Sequence, residues 1–120
     1  MNKWQVLQNF WSGFGLIAYD ETSVPDDAQM PYITYSASVS SFEDTILLTG
    51  DIWYYSTSWR DVSNKADEIE KAIGDYLLKP MNSKEYLFLT KGKPFAQRIP
   101  DENDRVKRVR INVMGEYFTF

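Results

Sequence analysis

At 120 residues the chain has the size of one domain, enough to bury roughly two thirds of the surface of its extended form without staples. It contains neither cysteine nor histidine, which excludes a disulfide framework, thiolate and imidazole metal sites, a cysteine nucleophile, and any side chain that ordinarily titrates near neutrality. Its net charge of −4 gives the molecule as a whole no electrostatic attraction to nucleic acid.

Trp4, Leu7, Trp11 and Phe14 recur at spacings of three and four, which predicts an opening helix with one apolar face, capped by Asn2 and closed by Gly13 and Gly15. From Tyr19 to Pro31 the chain is acidic and poor in apolar residues, and it reads as an irregular connection. Ile33, Tyr35, Ala37 and Val39 then alternate with Tyr32, Thr34, Ser36 and Ser38, the period of a half-buried strand. A turn is expected over Ser40 to Asp44. The run from Thr45 to Ser56 follows as a strand with Ile46, Leu48, Gly50, Ile52 and Tyr54 on one face, paired with its predecessor as an antiparallel hairpin.

Trp59, Val62, Ala66, Ile69, Ile73 and Tyr76 form the clearest helical stripe, with Ser58 and Asp61 resembling a capping box and Pro80 preventing continuation. Tyr86 to Thr90 is a short strand. Lys91 to Asp104, with Gly92, Pro94 and Pro100, reads as a long polar connection, and Val106 to Phe120 as a long closing strand. The even-numbered face of that last strand begins charged and ends in Met114, Phe118 and Phe120, so something must cover its far end: the first helix or a neighbouring subunit. The expected fold is α+β in the order α-β-β-α-β-β, an antiparallel sheet of about four strands with helices packed on one face, as a single domain over 1–120.

Sequence motifs for chemistry are absent. The carboxylates at Asp26 and Asp27, and at Asp101, Glu102 and Asp104, fall in polar loops that do not hold two acids across a cleft. The second group also lacks the glycine and distal Glu of a calcium loop. Gly13 and Gly15 follow a helix instead of opening one, the wrong order for a phosphate cradle. Trp53, Tyr54, Tyr55 and Trp59 either line a small pocket or pack the strand-to-helix corner. No catalytic residue, metal or cofactor is expected, and no apolar run reaches the roughly 18 residues of a membrane span.

What stands out is charge distribution. No Lys or Arg occurs from Trp4 through Trp59, whereas Lys91, Lys93, Arg98, Arg105, Lys107, Arg108 and Arg110 crowd one later stretch. That stretch suits a protein interface, a charged edge, or contact with single-stranded nucleic acid aided by Tyr86, Phe88 and Phe95.

The opening aromatic helix, the segment VPDDAQMPYITY, the strand LLTGDIWYYSTSW leading into DVSNKADEIEKAI, and the late KGKPFAQRIPDENDRVKRVRINV together resemble the tail terminator (tail completion, tail-to-head joining) proteins of long non-contractile-tailed phages and prophages. The resemblance covers almost the whole chain and rests on the order and texture of segments. It implies a structural subunit that forms a hexameric ring on the head-proximal end of the tail tube, stops polymerisation and joins tail to head. The implied partners are other copies of the chain, the tail tube protein and a head connector, with DNA passing through the lumen. The implied location is the virion, and the host cytoplasm during assembly. A cyclic ring uses heterologous contacts, so acids among Asp20, Glu21, Asp26 and Asp27 are expected to meet Lys91, Lys93, Arg98, Arg105 and Arg108 of the adjacent subunit. A head–tail connector or stopper would share these features; a small ligand-binding α+β domain is the alternative of a different class.

Overall fold

The computed structural model describes residues 2–36 and 46–119. Its first element grows from Asn2: the Asn2 side chain accepts from the Gln5 amide at 2.9 Å, and the Gln5 side chain accepts from the Asn2 amide at 2.9 Å. This reciprocal box starts helix α1, Lys3–Ser12. Val6, Leu7, Phe10 and Trp11 are buried, with Phe14 just beyond the helix, whereas Trp4 is 53% exposed and lies outside the apolar face predicted for it. Strands β1 (Ile17–Asp20), β2 (Tyr32–Tyr35) and β3 (Ile46–Tyr55) follow, then helix α2 (Arg60–Ile73) and strands β4 (Leu77–Pro80), β5 (Glu85–Ile99) and β6 (Val106–Thr119).

The fold is α+β, but among the described residues the sheet has six strands and not about four, in the order β1-β2-β3-β6-β5-β4. β1 runs parallel to β2, and every other pairing is antiparallel, including the expected β2–β3 neighbours. β1 replaces the start of the predicted irregular connection. The predicted polar connection from Lys91 is strand as far as Ile99, because β5 pairs Lys91 with Val113, slips through a bulge, and resumes with Ala96 opposite Ile111. Only Pro100 to Arg105 turns.

Helix α2 ends at Ile73, one turn short of Tyr76, because Gly74 takes φ 57° and its amide donates to the Glu70 carbonyl. The proposed capping box at its start does not form: Trp59 is the cap residue, without a side-chain bond, and the Ser58 hydroxyl accepts from the Arg60 amide instead. Ala37, Val39, the turn over Ser40 to Asp44 and the terminal Phe120 lie outside the described residues.

Both helices lie on the same face, over one core built from Leu7, Trp11, Ile33, Leu48, Ile52, Val62, Ile69, Ile73, Leu87, Leu89, Ile111 and Val113, among others. Alternation decides this arrangement. Leu48, Gly50 and Ile52 of β3 and Val109, Ile111 and Val113 of β6 are buried at every second position, so one side of the central pair is a continuous apolar surface. Gly50 lets α1 come close, since a Cβ there would sit 2.6 Å from the Trp11 ring. Gln8 ties the helix down, donating to the Ala18 carbonyl at 3.1 Å and accepting from the Tyr35 hydroxyl. Lys65 of α2 donates to the Phe14 carbonyl at 2.6 Å, tying α2 to the segment that follows α1. No helix among the described residues is long and apolar enough to cross a membrane.

Burial raises the pKa of the Tyr35, Tyr54 and Tyr117 phenols above the ordinary 10.0. Each phenol therefore holds its proton more tightly folded than unfolded, so its contribution is intact below about pH 10 and is lost as pH rises beyond that value. With no histidine in the chain, stability should be nearly flat through neutrality and fall on the alkaline side. Circular dichroism followed together with phenolate absorbance should show unfolding coincident with tyrosine ionisation; ionisation of all tyrosines near pH 10 without loss of structure would contradict it.

Candidate functional site

The face of the sheet opposite the helices carries the side chains that alternation directs away from the core. At the β1 end, Tyr19 meets Tyr32 edge to face at 5.7 Å, and Tyr32 lies 6.2 Å from Trp53. The Trp53 indole donates to the Thr34 hydroxyl at 2.9 Å, and the Arg108 guanidinium stands 4.5 Å over the Trp53 ring. Register explains the row: Tyr32 pairs with Trp53 across β2–β3, and Trp53 with Arg108 across β3–β6.

Asp51 sits two residues before Trp53 on the same face and is 7% exposed. Arg108 donates to its Oδ2 from Nε at 3.0 Å and from NH2 at 2.6 Å, and Arg110 donates from Nε to Oδ1 at 3.0 Å. One carboxylate thus holds two guanidinium groups, which raises the pKa of Arg110 through the hydrogen bond and charge of Asp51. The cluster is held together by hydrogen bonds and carries one net positive charge in the middle of the face.

At the β4 end, Tyr76 stacks on Phe88 at 5.5 Å, and Phe88 meets Phe118 edge to face at 5.7 Å, with Leu78 beside them through its pairing to Phe88. Leu47 pairs with Met114 on the same side. Of the large hydrophobic side chains that the described residues leave exposed, Ile17, Leu47, Tyr55, Tyr76, Leu78 and Phe118 are gathered on this face and only Trp4 lies elsewhere. Apolar area concentrated in this way makes this face the candidate site. α1 is on the other side of the sheet, so it does not cover the far end of β6.

The predicted interface residues are distributed as follows. Asp20 ends β1, with its Oδ1 accepting from the Thr22 hydroxyl at 2.7 Å and amide at 2.9 Å, and the hydroxyl bond foremost lowers its pKa. Glu21, Asp26 and Asp27 lie exposed in the turns that follow. Lys91 and Lys93 border the bulge of β5 and share a cleft of about 430 Å³ with Glu70 and Asp75 of the α2 end. Arg98 stands 4.9 Å over the Trp59 ring, and Arg105 is exposed in the β5–β6 turn. Arg108 is held by Asp51 beside Arg110, apart from the other cations predicted for the interface.

The structure brings the acids to one edge of the sheet, at β1, and Lys91, Lys93 and Arg98 to the strand near the other edge, at β5. Trp53 and Tyr55 face away from the helices while Tyr54 faces them, so these aromatics and Trp59 do not converge on one pocket. Asp101, Glu102 and Asp104 are exposed in the final turn.

Sequence reasoning missed Asp51, whose signal was available: a lone carboxylate in an apolar strand requires a cation, and Arg108 and Arg110 lie on one face of another strand. No protein-family model matches the sequence, and comparison with curated proteins finds no match.

Proposed function

We propose that this protein is an assembly subunit of the tail-terminator type, which closes the head-proximal end of a phage tail tube as a ring and presents a surface for head joining. The observation that carries the reading is the helix-free sheet face, where nearly all the large hydrophobic side chains exposed among the described residues are collected around the hydrogen-bonded Asp51–Arg108–Arg110 cluster, which carries one net positive charge. Such a face gains free energy by having its apolar area covered, and a covering partner has one uncompensated positive charge of the cluster to meet. The opposite charges at the two ends of the sheet support head-to-tail contacts between copies.

Reversing Lys91, Lys93 and Arg98 to glutamate should weaken self-association at least about tenfold, the equivalent of about 1.4 kcal/mol. Sedimentation velocity over a concentration series checks this, and an unchanged oligomer would count against the charge pairing. Capture by immobilised tail tube protein, compared with capture by portal protein, separates a terminator from a connector.

A further inference from the structure

Alternation along β5 and β6 sorts the cations of those strands between the two faces of the sheet. Lys91 and Lys93 share their cleft with Glu70 and Asp75 of the α2 end, and Arg98 and Lys107 both stand over the Trp59 ring, so these four belong to the helical side. Arg108 and Arg110 turn the other way, and both bond the one carboxylate of Asp51. Those bonds use Nε and Nη2 of each guanidinium, and no bond among the described residues uses Nη1 of either. Arg110 is the more open of the two.

Two further carboxylates bear on the charge left over. After the bond and charge of Asp51, the field of Glu21 also raises the pKa of Arg110, but Glu21 is exposed and makes no ion pair with it. Glu116 pairs with Phe88 toward the far end of β6, about 20 Å from Arg110 at roughly 3.3 Å per residue, beyond the screening length of about 8–10 Å in physiological salt. The positive centre of the face is therefore met only by a screened acid at its margin.

We infer that the helix-free face docks a partner protein presenting one carboxylate flanked by apolar side chains, the carboxylate seated on Arg110 and Arg108. Ile17 and Tyr55 toward one end of the face, and Leu47, Leu78 and Phe118 toward the other, call for apolar contact. The centre adds a condition: a neutral partner would bury an unpaired cation, a basic one would be repelled, and a carboxylate accepts charge-assisted bonds from the guanidinium arms that Asp51 leaves over. No other face of a second copy offers both features, since the remaining exposed large hydrophobic among the described residues is Trp4, and α1, which carries it, contains no Asp or Glu. A nucleic-acid strand would bring phosphates, but Ile17, Leu47 and Leu78 give bases no ring to stack on, and Arg108 already stands over the Trp53 ring.

This inference rests on the reading of the face as one that a partner covers, and its test needs no tail. The full chain is passed over immobilised peptides in which a central glutamate, glutamine or lysine stands among leucine and phenylalanine residues, at strand and at helix spacing. Glutamate peptides should be bound at least about tenfold more tightly than their glutamine and lysine counterparts. Arg110→Met, which leaves Arg108 on Asp51 and should keep its thermal transition, is expected to abolish that preference while weak binding of all the peptides persists. Glu21→Gln removes an acid that repels the incoming carboxylate, so it should strengthen glutamate binding and leave glutamine binding unchanged. Equal binding of glutamate and glutamine peptides, preference for lysine, or no binding would overturn the inference, as would single-stranded DNA or a second copy of the chain occupying the face in an Arg110-dependent way. A glutamate preference in a chain that does not affect tail tubes would sink the terminator reading alone; a ring on tubes without that preference would sink this inference alone.

Discussion

Replacing Trp11 with alanine is expected to cost about 3–5 kcal/mol, the range for deleting a large buried aromatic side chain. In a domain of this size that corresponds to a fall in Tm of roughly 10–25 °C. Trp11 is fully buried, packs edge to face on Phe10 at 4.8 Å, lies nearly parallel to Tyr35 at 6.5 Å, and rests directly on the backbone of Gly50. The cavity could not refill, because the partners that define it belong to α1, β2 and β3. Trp11→Phe should cost far less, since the indole Nε1 has no hydrogen-bond partner among the described residues and its removal relieves a buried donor. Gly50→Ala supplies the converse: with Trp11 in place a Cβ forces the ring to move, at about 1–3 kcal/mol, whereas beside a smaller residue 11 it should be close to neutral. Thermal unfolding of the single and double variants measures the coupling, and additive costs would show that the two residues do not touch.

The second large effect is at Asp51. Removing one partner of a well-bonded charge pair leaves the other partner's charge unpaired, which costs about 3–5 kcal/mol in a fully buried setting. The side chains of Arg108 and Arg110 are 24% and 37% exposed, and solvent recovers part of that, so Asp51→Ala is expected to cost about 2–3 kcal/mol. Arg108→Ala should cost less than Asp51→Ala, because the carboxylate keeps Arg110. In the Asp51→Ala background a further Arg108→Met should restore some stability by removing an unpaired cation. Chemical denaturation of the three variants reads this order; equal losses at Asp51 and Arg108 would show that the carboxylate does not serve two arginines.

Core alternation made the centre of the fold legible, and the edges were hidden for the complementary reason. In β3 and β6 every second residue from Leu48 to Ile52 and from Val109 to Val113 is buried, and a period of two sustained over that length has one interpretation. β1 is only four residues long, and Ala18 is its single buried apolar side chain, too little to show a period. β5 from Lys91 to Ile99 contains Gly92, Pro94 and cations, all loop signals, yet the long partner β6 extends the ladder past the bulge and overrides local preference. At the far end of α2, Tyr76 continued the helical stripe in spacing, but Gly74 in a left-handed conformation had already ended the helix.

The exposed apolar face was half visible. The change from Arg108 and Arg110 to Met114 and Phe118 along one face of β6 announced a surface to be covered. What assembles that surface is register: Phe88 and Leu78 reach Phe118 only because β4 and β5 stack beside β6, and Tyr19 and Tyr32 reach Trp53 only because β1 and β2 stack beside β3. Pairings between strands tens of residues apart leave no local periodic mark. The charge asymmetry, by contrast, was plain in the sequence, and the fold assigns it to opposite sides of the sheet, with Arg108 withdrawn into the Asp51 cluster.

The most direct test of the assembly reading is electron microscopy of tails assembled from purified tail tube protein with and without this chain. Tubes of uniform length, each bearing a ring at one end only when the chain is present, are the predicted result. Tubes whose length distribution and ends are unaffected by its addition would contradict it.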